Sequence, residues 1–346
     1  MRAAVMHAFR QPLSVESVPD PAPAPDGAVV RVHATGVCRS DWHGWMGHDP
    51  SIALPHVPGH ELAGTVAAVG EQVRGFAVGD RVTVPFCCGC GSCAPCRQGE
   101  TQICERDVQP GFTIWGSFAE YVTLPRADLN LVRLPDAIDF AAAASLGCRF
   151  MTAWAAIHVH GGVRAGEWVA VHGCGGVGLA ATMIARAAGA NVIAIDVDAG
   201  KLARARELGA AHALDARATD AVAAAVRELS GGGAHVSLDA LGSAATAADS
   251  VDCLRRRGRH LQVGLLVGDE RSIALPMARV IARELRIAGV HGMAVRHYDG
   301  LLAAIAGGGV ASPGALVART IGLEQAGAEL AAMGSFAQEG VTVVTP

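Results

Sequence analysis

Apolar and polar residues alternate at the start of the chain, and the alternation stops at Pro19-Asp20-Pro21-Ala22-Pro23-Ala24-Pro25. Fixed φ angles and missing amide protons make that segment a stiff, extended connector that cannot be a helix. Beyond it, residues 28–35, 62–70, 80–85 and 118–124 carry Val, Thr, Tyr and Ala between Gly and Asp turn signals. Short strands have that pattern, so this part of the chain is expected to form a compact, mostly β domain. The rhythm changes near residue 139. Asp139 is placed to cap the N-terminus of Phe140-Ala141-Ala142-Ala143-Ala144, and Thr152-Ala153-Trp154-Ala155-Ala156-Ile157 reads as a further helical segment. From 167 onward strand and helix alternate: strand 167–172, helix 176–188, strand 191–196, helix 199–208, then apolar strands near 235–241 and 259–265. That repetition predicts a doubly wound parallel sheet with helices on its faces, and the fold class is α/β.

At 346 residues the chain exceeds the size at which one core keeps growing, so two domains are expected. A composition of 51% hydrophobic and 17% charged residues, with 43 Gly, fits a soluble, loop-rich folded protein. The net charge of −4 provides no basic excess for nucleic acid or an anionic membrane, which leaves small molecules as the expected partners. Met1-Arg2-Ala3-Ala4-Val5 lacks the apolar core of a leader, and no run of about 18 uncharged apolar residues follows, so the cytoplasm is the expected location. In that reducing setting ten cysteines are expected as metal ligands and buried thiols rather than disulfides.

The chemistry concentrates at Cys38-Arg39-Ser40-Asp41-Trp42-His43. Thiol, guanidinium, hydroxyl, carboxyl and imidazole within six residues imply a partner, since each polar group buried without one costs roughly 1–3 kcal/mol. Cys38 is a soft ligand suited to zinc, Gly59-His60-Glu61 offers an imidazole and a carboxylate, and Cys148 is the best distant third ligand. Three protein ligands leave a tetrahedral position open, as catalytic zinc requires. Cys90, Cys93, Cys96 and Cys104, spaced C-x2-C-x2-C-x7-C, instead suit a closed shell of four thiolates around a structural zinc, with bonds of about 2.3 Å. Cys87 and Cys88 break that register, and Cys174 and Cys253 read as ordinary buried thiols. Finally, the strand at 167–172 runs into Gly173-Cys174-Gly175-Gly176-Val177-Gly178, and Asp196 follows eighteen residues after Gly178 at the end of the next strand. In this context the glycines admit a pyrophosphate to a helix N-terminus and Asp196 accepts from the adenosine ribose. The carboxylate would repel a 2′-phosphate, so NAD rather than NADP is expected.

With these motifs in this order the chain resembles the zinc-dependent medium-chain alcohol dehydrogenases over nearly its full length. Pro58-Gly59-His60-Glu61, Gly75-Phe76 followed by Gly79-Asp80-Arg81-Val82, and Gly147-Cys148-Arg149-Phe150 with Thr152-Ala153 complete the likeness. The resemblance implies a mostly-β GroES-like catalytic domain (1–150 and 286–346) and a Rossmann NAD-binding domain (151–285). It implies two zinc ions per chain: a catalytic one on Cys38, His60 and Cys148, with Glu61 an alternate ligand and Asp41 an anchor for His60, and a structural one on the four spaced cysteines. Ser40 would bridge the alcohol oxygen to the cofactor ribose and His43 would end a proton path. Arg39 matches the pyrophosphate contact, Thr152 the nicotinamide contact and Lys201 the adenosine-ribose contact, while Val263, Gly264 and Val290 would line the nicotinamide. A homodimer or homotetramer is also implied.

The expected activity is reversible oxidation of a primary or secondary alcohol to an aldehyde or ketone, with hydride transfer to NAD. Two rivals are a zinc-free quinone or alkene reductase of the same superfamily, which the intact Cys38, His60 and Cys148 set argues against, and a non-catalytic NAD-binding zinc protein, which would not need Ser40 and His43. His7, His33, His48, His56 and His158 read as surface or core histidines. Trp42, Trp45, Phe86, Trp115 and Phe150 read as core or as pocket wall.

Overall fold

Valine and alanine fill both faces of the segment Ala28–Gly36 so completely that Arg31 alone is exposed, which makes it the buried centre of a sheet. The computed structural model describes residues 1–335 and 340–346, apart from the side chains of 268 and 269; residues 336–339, expected in the catalytic domain, lie outside the described residues. In chain order the strands are β1 (Arg2–Val5), β2 (Ser14–Ser17), β3 (Ala28–Gly36), β4 (Glu61–Val69), β5 (Arg81–Thr83), β6 (Tyr121–Leu124) and β7 (Val132–Arg133). They continue with β8 (Trp168–His172), β9 (Asn191–Asp196), β10 (His212–Asp215), β11 (Ala234–Asp239), β12 (Leu254–Gln262), β13 (Arg286–Gly289), β14 (Val317–Gly322) and β15 (Val341–Thr345). The chain divides into two compact units. One comprises Met1–Met151, Gly292–Gly308 and Ser312–Pro346, and the other Thr152–His291 and Gly309–Ala311.

The first unit is built on a mostly antiparallel sheet ordered β14-β15-β3-β4-β5-β7, with β6 also paired to β3. Its interior holds Val30, Val32, Leu62, Val82, Val122 and Leu124, all buried. The β3–β4 register opposes Gly36 to Glu61 and Thr35 to Leu62. Val37 and Cys38 therefore leave β3 beside the point where Gly59 and His60 enter β4. Cys38 opens the helix α1 (Arg39–Trp45), so backbone pairing alone brings the first thiol near the first imidazole.

The second unit holds a parallel sheet ordered β10-β9-β8-β11-β12-β13, the doubly wound order expected of a dinucleotide fold. The helices Gly176–Ala187 and Ala199–Glu207 follow β8 and β9, as the alternation predicted. Asp139 caps its helix through the Ala142 N–H at 2.8 Å. The chain does not leave the parallel sheet at 286: β13 pairs with β12, Arg259 opposite Arg286, and residues through His291 stay with the second unit. Strand β12 also begins earlier than expected, at Leu254, because Arg255, Arg256 and Arg257 hide its start behind a polar run. No helix among the described residues is long and apolar enough to cross a membrane.

The turn after β8 depends on a backbone approach that leaves no space for a side chain. A Cβ on Gly178 would stand 1.8 Å from the Gly173 carbonyl oxygen. Gly178→Ala should therefore open the turn and cost about 1–3 kcal/mol, the usual penalty for overpacking, seen as a lowered Tm. An unchanged Tm in calorimetry would show that this contact does not hold the turn.

Candidate active site and metal centres

Local backbone chemistry prepares α1 as a platform. Cys38 is its N-cap, and Asp41 in the first turn accepts from the Cys38 N–H through Oδ2 at 2.9 Å. The other oxygen, Oδ1, accepts from the Gly59 N–H at 3.1 Å and lies 2.7 Å from Nδ1 of His60. One carboxylate thus fixes the helix start and the entry to β4, and it sets the tautomer of His60 by receiving its Nδ1–H. Nε2 of His60 is buried with no partner in hydrogen-bond geometry among the described residues. A buried imidazole nitrogen with a free lone pair calls for a proton or a cation.

That nitrogen belongs to a group of four. Ligand atoms of Cys38, His60, Glu61 and Cys148 all lie within 4.8 Å of one another. The titrations of all four groups are strongly shifted by one another and by burial. A hydrogen bond from Cys148, helped by His60 and Arg149, pulls the Cys38 thiol well below its ordinary pKa, while that same bond and burial push Cys148 up. Burial opposes protonation of His60, yet the charge and hydrogen bond of Asp41 raise its pKa well above the usual value. Burial raises Glu61 to about 8 against the pull of Arg149. Two sulfurs and one imidazole nitrogen suit zinc, and the fourth member is already engaged. Glu61 Oε1 accepts from the Cys148 N–H at 3.0 Å and from Arg149 Nε at 3.1 Å, and Oε2 pairs with the Arg149 guanidinium. A Cβ at Gly147 would strike Cβ and Cγ of Glu61 at 2.4 Å, so only glycine fits there. Phe86 and Phe112 stand edge-on to His60, with centroids 6.2 and 5.4 Å away, and shield it from water. Phe150 and Trp45 instead belong to the apolar core, Phe150 being fully buried.

Ser40 and His43 lie on α1. The Ser40 hydroxyl is 3.8 Å from the Cys38 sulfur, and the half-buried His43 ring places Nδ1 2.9 Å from Nδ1 of His48. Arg39 is also on α1, its guanidinium carbon 4.9 Å from the Trp42 ring centroid.

The second group comprises Cys90, Cys93, Cys96 and Cys104, also within 4.8 Å of one another. Short turns aim amides at sulfur: Cys93 N–H reaches Cys90 Sγ at 3.3 Å, and the Cys90 and Arg106 N–H groups reach Cys104 Sγ at 3.2 and 3.3 Å. Ser92 hydrogen bonds hold the Cys90 thiol down at about 4, assisted by Arg106. Donors of this kind favour thiolates, but burial raises Cys96 and pushes Cys104 up to about 12, so a closed shell of four thiolates needs a cation to offset their burial. Cys87 and Cys88 are buried outside this group, and burial raises both thiols, Cys88 to about 12. None of the ten cysteines forms a disulfide.

The glycine turn and Asp196 meet in the second unit. Asp196 Oδ2 accepts from the Cys174 N–H at 2.6 Å, and Oδ1 from the Val197 and Asp198 N–H groups at 2.7 and 2.9 Å. Capping of the next helix falls to Asp198, which accepts from the Lys201 N–H at 2.9 Å, so Asp196 is not the cap. A Cβ on Gly175 would meet nothing within 4 Å, leaving room beside the helix N-terminus that starts with Gly176, Val177 and Gly178. Val263 and Gly264 donate to the Asp239 carbonyl and Val290 to that of Gln262, which sets all three at the carboxyl ends of strands, where doubly wound sheets bind ligands. Thr152 is buried in the same unit.

Residues 24–136 match the alcohol dehydrogenase GroES-like domain and residues 176–307 match zinc-binding dehydrogenase. The chain is 38% identical to an alcohol dehydrogenase of Rhizobium meliloti (strain 1021) over 292 residues, 84% of this chain and 83% of the relative. The chain belongs to the zinc-dependent medium-chain alcohol dehydrogenase family. Among solved structures of this family, alcohol dehydrogenase from Thermus sp. ATN1 matches with a TM-score of 0.92 and 31% identity, covering 100% of this chain and 99% of that one. A structure described as an NAD-dependent alcohol dehydrogenase matches with a TM-score of 0.90 and 33% identity, covering both chains fully. The family identity and the α/β fold expected from sequence therefore hold, and with them oxidoreductase activity on small-molecule alcohols.

Two contacts of this alcohol dehydrogenase were not anticipated. Arg149 gives Glu61 its counter-ion and also donates to the Val37 carbonyl at 2.7 Å. His48, read as an isolated surface or core histidine, is bonded to His43. Arg149 directly follows the candidate ligand Cys148 in sequence, but no local spacing identifies its partner.

The four-thiolate loop yields a stability prediction. Cys96→Ser should lower Tm and make the protein sensitive to chelators, because metal binding in a closed shell is part of the loop's folding free energy. Wild-type melting and chelator resistance in the variant would refute a structural metal there.

Proposed function

We propose that the chain is an NAD-dependent zinc alcohol dehydrogenase in which Cys38, His60 and Cys148 hold the catalytic zinc and Cys90, Cys93, Cys96 and Cys104 the structural one. The observation that carries this reading is the buried Nε2 of His60 beside two thiols, its ring oriented from behind by Asp41. When bound, zinc supplies a Lewis acid that acidifies the alcohol hydroxyl, and NAD accepts the hydride. The protein's share is orientation and proton handling. Asp41 keeps the His60 lone pair directed at the cluster. The Ser40 hydroxyl takes the substrate's hydroxyl proton, and His43, three residues along α1 on the same face, carries it outward. Arg149 holds Glu61 by both oxygens, so Glu61 can serve as an alternate ligand only by leaving that guanidinium.

The nucleotide contacts follow from the second unit. Gly173, Gly175, Gly176, Val177 and Gly178 would cradle the pyrophosphate, and Asp196 with Lys201 would meet the adenosine ribose. Arg39 would meet the pyrophosphate, and Thr152, Val263, Gly264 and Val290 the nicotinamide. Ten cysteines without a disulfide fit a reducing compartment such as the cytoplasm. A homodimer or homotetramer is the assembly we expect.

Cys38→Ser should abolish turnover and reduce metal content from about two zinc ions per chain to about one, with Tm nearly unchanged, because a catalytic site leaves the surrounding fold preformed. Elemental analysis, calorimetry and a panel of primary, secondary and aromatic alcohols test this together; activity persisting without that zinc would overturn the mechanism. Asp196→Ser should lower the ratio of kcat/KM for NAD to that for NADP by at least about tenfold, or roughly 1.4 kcal/mol. Steady-state kinetics with both cofactors decide it, and an unshifted ratio removes Asp196 from cofactor selection.

A further inference from the structure

His48 lies just beyond α1 and is exposed, whereas His43 is half-buried on the helix. Their Nδ1 atoms are 2.9 Å apart, with ring centroids 5.2 Å apart and planes tilted by 42°. Trp42 packs edge-on against both rings, at 5.0 and 5.9 Å between centroids, and the His48 N–H donates to the His43 carbonyl at 3.0 Å. Indole and backbone thus hold the second imidazole against the first. A hydrogen bond between two imidazole nitrogens needs one donor and one acceptor, so the pair shares a single N–H.

Among the described residues, charged and titratable neighbours do not fill the acceptor's place. On α1 itself the groups acting on His43 are Arg39 and Cys38. Nearby Asp49 is committed to the Ser51 N–H and hydroxyl, and Arg10 to the Met46 carbonyl. The helix Ala326–Ala332, packed against α1, carries Glu329, which binds Arg319 and Thr342. Burial, the charge of His48 and that of Arg39 lower the pKa of His43 to about 4, so a proton delivered to it at neutral pH does not stay.

We infer that His48 is the outer proton acceptor of this alcohol dehydrogenase, receiving through His43 the proton released by the substrate. The inference rests on the proposed path from Ser40 to His43. A proton arriving at Nε2 of His43 is matched by loss of its Nδ1 proton to Nδ1 of His48, and the resulting imidazolium gives its Nε2 proton to water. No electron moves, and the pair resets when His43 gives its Nε2 proton to water while His48 takes one from water at Nε2 and returns its Nδ1 proton to Nδ1 of His43.

The test is proton release in stopped flow, with a pH indicator in weak buffer at neutral pH, for the zinc-loaded full chain mixed with NAD and an alcohol it oxidises. His48→Gln, at an exposed position, should keep the wild-type Tm and the KM for alcohol, slow proton release at least about threefold, and recover when imidazole is added as a general base. His43→Gln is the control for the underlying path. Slowing in His43→Gln with none in His48→Gln overturns the inference and leaves that path standing. No slowing in either variant overturns both, and slowing in His48→Gln that imidazole cannot reverse assigns His48 a structural role and also overturns the inference.

Discussion

The buried ion pair between Glu61 and Arg149 is the constraint on which the catalytic unit is assembled. Glu61 begins β4 directly after His60, Arg149 directly follows Cys148, and the guanidinium also reaches Val37, the residue before Cys38. Arg149 therefore stitches the segment of Cys148 to those of His60 and Cys38 by bonds one residue away from each. A buried carboxylate or guanidinium is costly alone, and removing one partner of such a pair typically costs about 3–5 kcal/mol. The three ligands are consequently held together by a contact that does not depend on the ion. Glycine at 147 is part of the same device, since any side chain there would occupy the carboxylate's place.

The two thiol clusters follow opposite designs. Around Cys90, Cys93, Cys96 and Cys104 the donors are backbone amides from tight turns and an exposed arginine, so the thiolates are stabilised locally within one loop. Around Cys38 and Cys148 the stabilisation comes from side chains of distant segments: Asp41 behind His60, Arg149 behind Glu61 and aromatic rings at the edge. The first arrangement closes a shell and secures a loop. The second, in the proposed reading, would leave a position open to substrate, and it spreads its support through the fold, as an open site requires.

This difference explains what was legible in the sequence. The four spaced cysteines, the glycine turn and capping Asp139 were readable because each is defined by short spacing: x2 between cysteines, strand to turn to helix, three residues from cap to amide. Long-range partners had no such mark. Arg149 and Glu61 are 88 residues apart, and only the folded chain, which sets the helical segment Leu146–Phe150 beside the start of β4, brings them together. His43 and His48 are five apart, outside the i+3 and i+4 spacings that signal a shared helix face, and they meet because the chain turns after Trp45. The return of the chain to its first unit was misplaced by six residues for a similar reason. Residues 286–289 are largely exposed as the edge strand of the parallel sheet, so they lack the apolar run that announces a buried strand.

The nucleotide end shows how geometry refines a role read from residue type. Sequence reasoning lets Asp196 receive both ribose hydroxyls, but a carboxylate has only about four acceptor positions. Three are taken here by the N–H groups of Cys174, Val197 and Asp198, with two of them on Oδ1. Those bonds aim the carboxylate, yet they leave about one acceptor position, on Oδ2, for a ribose hydroxyl. In the proposed reading, attraction to NAD would thereby be reduced, while repulsion of a 2′-phosphate, which depends on charge rather than on vacant lone pairs, would not. Discrimination at such a residue rests chiefly on rejecting the wrong cofactor, so neutralising it acts mainly by admitting NADP.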